Sequence, residues 1–397
     1  MPVKNSLFTG AAKQLIRRYV GDLSTGRFEL VLPGGETVVS EGPQPGETGV
    51  MVIKKWRTLS QLMRRGDIGL AEAYAAGDWE SPNLSTLMSV LARNVDSFKD
   101  RFAPRGIDRF WAILQHALRR NTKVQSRKNI EAHYDLGNAF YSLWLDPTMT
   151  YSSAVFEPHN DELETAQHTK YQRILAQAEL APNSRILEIG CGWGGFAEVA
   201  AEAGHRVTGL TISPAQLAFA KNRLKHAVDQ GAVDLLLQDY RDLEGQFDAV
   251  VSIEMFEAVG PQWWAAYMDK VRGALKPGAP AVIQTITIKD QLFDAYSQQP
   301  DFIQTCIFPG SMLSCPERFV GDAKTAHLTL NDRYEFGASY ARTLRQWQTT
   351  FNAAESEVRQ LGFDTEFLRL WNFYFSYCVG GFEAERTNVG QYTLKAA

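Results

Sequence analysis

The sequence predicts an α/β protein built on a doubly wound, mostly parallel sheet and preceded by a smaller α+β domain. Three observations predict it. From about residue 166 short apolar runs alternate with helical stretches, the pattern of strands joined by crossover helices. Within that region 185–195, Arg-Ile-Leu-Glu-Ile-Gly-Cys-Gly-Trp-Gly-Gly, is an apolar strand that runs into glycines 190, 192, 194 and 195 and then into a helix from near Phe196;. Residues 1–100 have a different rhythm, with strand patterns at 27–32 and 49–53, a turn-rich segment between them, and a helix over 59–75;.

A chain of 397 residues has room for two or three domains and a full core;. Charged residues are 22% and hydrophobic ones 45%, as in an ordinary globular protein;. The net charge of −4 argues against general nucleic-acid affinity;. Four cysteines, at 191, 306, 315 and 378, form no C-x-x-C pair and no metal-ligand spacing, which fits a reducing compartment and no structural metal;. The first residues lack an apolar leader, and nowhere do about 18 apolar residues run together, so a cytoplasmic, non-spanning chain is expected;.

The small domain, 1–100, carries no catalytic constellation. Residues 101–133 connect it to the rest, and between Arg101 and Lys128 eight Lys or Arg stand against one acid, Asp108. Phe110, Trp111, Leu114 and Leu118 fall near one helical face there. Two readings are open: a basic amphipathic helix lying in a membrane interface, or a packing helix with solvated charges. Around Pro147, aromatic and small polar residues give a lid or pocket wall;.

In the alternating region a helix over 166–178 precedes the glycine-rich turn. Strands follow at 206–210, 233–237, 247–253 and 281–288, with a helix opened by Thr211-Ile-Ser-Pro-Ala-Gln between the first two. A parallel sheet binds ligands at the carboxyl ends of its strands. Those ends supply Glu188, Gly190, Gly192, Thr211, Gln216, Gln238, Asp239 and Ile253. This ring suits a ribose, an adenine and a methionine tail but has no cluster of cations for a pyrophosphate, so it favours S-adenosylmethionine over a dinucleotide. Thr211 also stands where an acid would meet a dinucleotide ribose. Beyond the fourth strand, Glu254 and Glu257 flank Met255 and Phe256, which places carboxylates beside apolar surface as a base or a cation stabiliser. An apolar insertion over 290–330 suits an acyl chain or, alternatively, a packing or dimer element.

Taken together, Tyr134-Asp-Leu-Gly-Asn, Tyr151-Ser-Ser-Ala, Leu187-Glu-Ile-Gly-Cys-Gly-Trp-Gly-Gly, Gly209-Leu-Thr-Ile-Ser, Met255-Phe-Glu-Ala-Val-Gly, Phe302-Ile-Gln with Ile307-Phe-Pro-Gly, and Val389-Gly-Gln resemble the cyclopropane-fatty-acid synthase family, which includes the mycolic acid cyclopropane synthases. The resemblance implies a Rossmann-like class I methyltransferase domain over 134–397. It implies S-adenosylmethionine as cofactor, unsaturated acyl chains of membrane phospholipid as substrate, and a homodimer at the inner membrane face. Tyr151, Ser152, Gly190, Gly192, Thr211, Gln216, Gln238 and Ile253 match the cofactor contacts by position.

In this family the base that closes the ring is a bicarbonate held by a Glu, a Cys, a His, a Tyr and a backbone group. Glu257, Tyr340 and the Ile286 backbone match that set. Ser153 stands for the Cys and Gln284 for the His, while Glu254 replaces a Gly; an imidazolium is lost and a carboxylate gained, which implies weaker bicarbonate binding. Cyclopropanation is the default outcome. A diverted one gives methyl-branched or methylated unsaturated chains, with a redox partner where the branch is saturated, or a part in furan fatty acid formation. A methyltransferase for a soluble small molecule and a non-catalytic lipid-binding protein are the readings from other classes.

Overall fold

The computed structural model describes residues 23–96 and 136–396, so the basic stretch 101–133, with Trp111, lies outside the described residues. The chain divides into two compact units, Met1–Leu114 with Gly362–Arg386, and Gln115–Leu361 with Thr387–Ala397.

In the first unit β1 (Thr25–Val31), β2 (Thr37–Glu41), β3 (Gln44–Ile53) and β4 (Trp79–Glu80) form a sheet in the order β2-β1-β3-β4, with β1 and β3 parallel. The helix Arg57–Ala75 kinks at Gly66, whose φ of 59° a larger residue would resist;. Helix Leu84–Arg93 starts at Asn83, whose side chain accepts from the Thr86 N–H;. Against it lies helix Thr365–Glu383, so close that a Cβ on Gly380 would stand 2.8 Å from the Met88 carbonyl. This helix falls within the expected 134–397 domain. Its aromatic run, including Trp371, Phe373, Tyr374 and Phe375, is buried instead within the first unit.

The second unit carries β5 (Arg185–Ile189), β6 (Arg206–Thr211), β7 (Val233–Leu237), β8 (Ala249–Ile253), β9 (Pro280–Ile288), β10 (Leu328–Glu335) and β11 (Thr387–Ala396) in one sheet of order β10-β11-β9-β8-β5-β6-β7. β5 to β9 are parallel, and β11 enters antiparallel to both its neighbours, β9 and β10. Strand alternation sends Leu187, Ile189 and Val250 to a core with Phe256, Trp264, Tyr267 and Met268;. Ile186, Ala249 and Val251 face the opposite core, with Tyr171, Ile174, Phe196 and Ala197. The sheet is thereby covered on both faces, as a parallel sheet must be.

The expected insertion folds as helix Asp290–Ser297, a π turn at Ile303–Ile307 and helix Pro316–Thr325. Part of its apolar surface is internal packing, since Met312 and Phe319 belong to the core beneath β8 and β9. Among the described residues no helix is long and apolar enough to cross a membrane.

Candidate active site

The parallel strands bring most of the expected ligand positions to one edge. After β5 the chain turns through Gly190, Gly192 and Gly194, with φ of 85°, 51° and 88°. A Cβ at Gly192 would meet nothing within 4 Å, so this part of the turn faces open space, whereas one at Gly195 would strike the Tyr171 hydroxyl at 2.7 Å. The Gly190 and Cys191 N–H groups donate to the Leu210 carbonyl, and the Gln238 N–H donates to that of Thr211, which ties three strand ends together. Thr211 Oγ1 donates to Gln216 Oε1 at 3.0 Å, and Ser213 caps the following helix. Ile253 ends β8 beside this turn, one residue past the Ser252 that pairs with Ile189.

Asp239, one of the expected cofactor-binding residues, is held by a neighbouring cation. Its carboxylate takes both Arg241 Nε at 2.8 Å and Nη2 at 2.6 Å. Glu188 lies inside β5, buried, with Oε2 lacking any hydrogen-bond partner among the described residues, and burial pushes its pKa up to about 8 against the opposing charge of Lys170. An open glycine turn beside an orphaned buried oxygen fits a bulky ligand with polar groups of its own. Tyr151 closes the wall in an aromatic box, 5.4 Å from the Tyr141, Trp144 and Trp347 rings and 6.2 Å from Phe308. Ser152 is fixed beside it, its carbonyl accepting from Gln167 Nε2 at 3.0 Å and its Oγ from Lys170 Nζ at 2.7 Å.

A second cluster centres on Glu254. Its φ of 50° is a left-handed conformation that favours glycine, and the residue is held there by four hydrogen bonds, three of them at its carboxylate;. Its N–H donates to the Gln284 carbonyl at 2.8 Å. Oε1 accepts from the Ser153 N–H at 2.8 Å and Gln284 Nε2 at 2.9 Å, and Oε2 accepts from Tyr340 Oη at 2.6 Å. The Ser153 hydroxyl is turned away to the Ala154 carbonyl, so this position contributes its backbone rather than its side chain. Gln284 Oε1 in turn accepts from Gln391 Nε2 at 3.1 Å.

Glu257 stands apart from that set. Its Oε1 accepts from the Ile286 N–H and from Thr285 Oγ1, and its Oε2 is buried without a partner among the described residues. The expected quintet therefore splits: Ser153, Gln284 and Tyr340 serve Glu254, while Ile286 serves Glu257. The family motifs single out none of Lys170, Thr285 and Trp347, and Gln391 enters only within the Val389-Gly-Gln motif. For Lys170 a signal existed, because Gln167, Lys170, Tyr171 and Ile174 share the i, i+3, i+4, i+7 spacing of a buried helix face;.

Burial, reinforced by the Glu254 charge, pushes the Glu257 pKa up to about 8. The folded value lies above the unfolded one of about 4.3, so the native state holds the extra proton between them. This stabilisation is complete below the unfolded value and is lost as pH rises through about 8. Wild type is expected to lose thermal stability relative to Glu257→Gln between pH 6 and 9. A difference in Tm between the two that stays constant with pH would rule this out.

A model of the family described as mycolic acid cyclopropane synthetase matches residues 121–392. The chain is 36% identical to tuberculostearic acid methyltransferase UfaA1 of Mycobacterium tuberculosis, over 96% of this chain and 90% of that protein. It is 34% identical to the cyclopropane-fatty-acyl-phospholipid synthase of Escherichia coli, over 85% of this chain and 86% of the relative. Among solved structures it resembles the cyclopropane synthase MmaA2 of Mycobacterium tuberculosis at 30% identity with a TM-score of 0.62, covering 68% of this chain and 98% of that one. A similar match, 27% identical with a TM-score of 0.62, is the mycolic acid cyclopropane synthase CmaA1 complexed with SAH, over 68% of this chain and 98% of that one. The sheet order, the glycine turn at the strand ends and these matches agree: the chain belongs to the mycolic acid cyclopropane synthetase family and is an S-adenosylmethionine-dependent methyltransferase.

Proposed function

We propose that this enzyme methylates a carbon of the double bond in an unsaturated acyl chain of a membrane phospholipid, with the Glu254 carboxylate as its resident base. The observation that carries the reading is the triad of donors, Ser153 N–H, Gln284 Nε2 and Tyr340 Oη, converging on Glu254. S-adenosylmethionine, when bound, supplies an electrophilic methyl group. Gly190, Gly192, Thr211, Gln216, Gln238, Ile253, Tyr151, Ser152 and Glu188 are the groups we assign to holding it.

An alkene that has gained a methyl carries a positive charge on the neighbouring carbon. The ring of Tyr151, backed by the buried Trp144 and Trp347, excludes water from such a cation and offers it an electron-rich face;. Glu254 then takes a proton from the added methyl, whose C–H electron pair closes the ring. Three donors hold the carboxylate in one orientation for that transfer. A bicarbonate ion does not fit this set, because three of the groups expected to bind it, Ser153, Gln284 and Tyr340, are bonded to Glu254, and no step is assigned to it.

A phospholipid substrate is supported by the similarity to the Escherichia coli phospholipid synthase, and docking at the inner membrane face by the excess of cations over 101–128;. A homodimer is the assembly that accompanies this reading. A second reading is favoured by the 36% identity to a tuberculostearic acid methyltransferase: a hydride shift precedes proton loss, giving a methylene-bearing chain that a separate redox partner saturates. Incubation with methyl-labelled cofactor and vesicles of monounsaturated phospholipid is expected to label the lipid. Absence of label overturns both readings. Ring and methylene products have equal mass, and hydrogenation followed by fragmentation separates them.

A further inference from the structure

Lys170 is fully buried on the helix Leu163–Ala178. A lone ammonium in such a place is costly unless charges and hydrogen bonds compensate it. Its Nζ donates to Ser152 Oγ at 2.7 Å and lies 4.5 Å from the centre of the Tyr171 ring. The charges of three acids from three other elements act on it: Glu254 after β8, Asp146 in the segment before Met149, and Glu188 on β5.

These acids are not equivalent. Asp146 is engaged locally by the Thr148 N–H and hydroxyl, and burial pushes the Glu188 carboxyl up to about 8, so it is largely protonated at neutral pH. Glu254 accepts three hydrogen bonds, each of which favours its anion;. Its attraction to Lys170 is the largest of the three. Two hydrogen-bonded routes connect the pair as well. Ser152 precedes Ser153, whose N–H meets Glu254. The Lys170 carbonyl accepts from Gln391 Nε2, which also donates to Gln284, and Gln284 donates to Glu254.

We propose that Lys170 is a positioning residue for the proton-transfer step: its ammonium, anchored on Ser152, is the counter-charge that keeps Glu254 a carboxylate able to accept a proton. This rests on the reading of Glu254 as the base. Burial lowers the Lys170 pKa to about 7 and raises that of Glu254, and the attraction between the two opposes both shifts. The other titratable groups facing Glu254 are Tyr340, which donates to it, and the Glu257 carboxyl nearby. Removing the Lys170 charge leaves Glu254 more readily protonated, so the base is lost at a higher pH.

The test compares kcat/KM against pH for the full-length wild type and Lys170→Met, with S-adenosylmethionine and vesicles of monounsaturated phospholipid. The acid limb is expected to move up by about one pH unit, a roughly tenfold loss on that limb that is recovered at higher pH. A purely structural lysine lowers the rate by the same factor at every pH, and that result overturns the proposal.

Thermal unfolding of Lys170→Met, Glu254→Gln and the double variant gives a readout independent of turnover. Neutralising Glu254 is expected to restore much of the Tm lost in Lys170→Met; losses that simply add overturn the pairing. Should Lys170→Met alone not fold, the double variant must fold, and a double variant equally unfolded counts against the proposal. If Glu254→Gln keeps full turnover, the base reading itself fails and takes this one with it. If Glu254→Gln is inactive but Lys170→Met shows a flat loss with additive Tm changes, only the role of Lys170 falls.

Discussion

Glu254→Gln is expected to lower turnover by ~10²–10⁴-fold, the range lost when a positioned general base is removed, while S-adenosylhomocysteine still binds. The amide matches the carboxylate in shape and can keep the Ser153 N–H and Gln284 bonds at one oxygen. Its NH₂ faces Tyr340 Oη, which can accept as well as donate. What it loses is the ability to take a proton. Glu254→Gly sharpens the test, because a φ of 50° suits glycine and the three donors are then released together;. Wild type is expected to turn over in bicarbonate-free buffer with no gain on adding the ion. Glu254→Gly is expected to be nearly inactive there and to recover part of its rate with bicarbonate. Stimulation of wild type by bicarbonate, with Glu254→Gln fully active, would show that the resident carboxylate is not the base.

The parallel half of the sheet was legible because its strands are short apolar runs closed by turn residues. The expected 233–237 coincides with β7, and 281–288 falls one residue short of β9. β10 and β11 escaped for physical reasons. β10 is an edge strand of Leu-Thr-Leu-Asn-Asp-Arg-Tyr-Glu with little buried beyond Leu328, so no hydrophobic run announces it. β11 is buried but contains Gly390, which has no side chain to mark a strand, and the polar Gln391 and Thr393, whose hydrogen-bond partners, such as Gln284 and Gln177, are distant in sequence.

The same distinction governs the site. Glu254, Gln284 and Tyr340 were visible as departures from or matches to a family pattern, but not the bonds among them. Their meeting depends on the turn after β8, on β9 and on the helix Gly337–Ala353 at once. Ser153 stands in the sequence for a Cys side chain, yet it is its N–H that meets Glu254, since backbone donors have no signature in residue type. Lys170 is hard to recognise from sequence because a lysine in a helix is usually solvated.

Gly192→Val is expected to weaken S-adenosylhomocysteine binding ~100-fold, a loss of about 2.7 kcal/mol of affinity, with a smaller effect on folding. The Cβ at this position meets no neighbour within 4 Å, so the fold itself offers no clash. What the fold must absorb is the left-handed backbone, φ 51°, at a cost of about 1–2 kcal/mol;. The added methyls point into the open face of the turn, which is the volume assigned to the cofactor. A destabilised fold and a blocked cradle predict different results. Strain alone lowers Tm and leaves calorimetric affinity near wild type at temperatures well below the transition; a blocked cradle removes affinity even where the protein is fully folded. Gly278→Val makes the comparison fair, since that glycine also has positive φ, 72°, and nothing within 4 Å of its Cβ, but lies at the turn before β9, opposite the carboxyl ends. It is expected to lose a similar amount of Tm and keep its affinity. Equal affinities for the two variants would mean that the open face of the glycine turn is not where the cofactor lies.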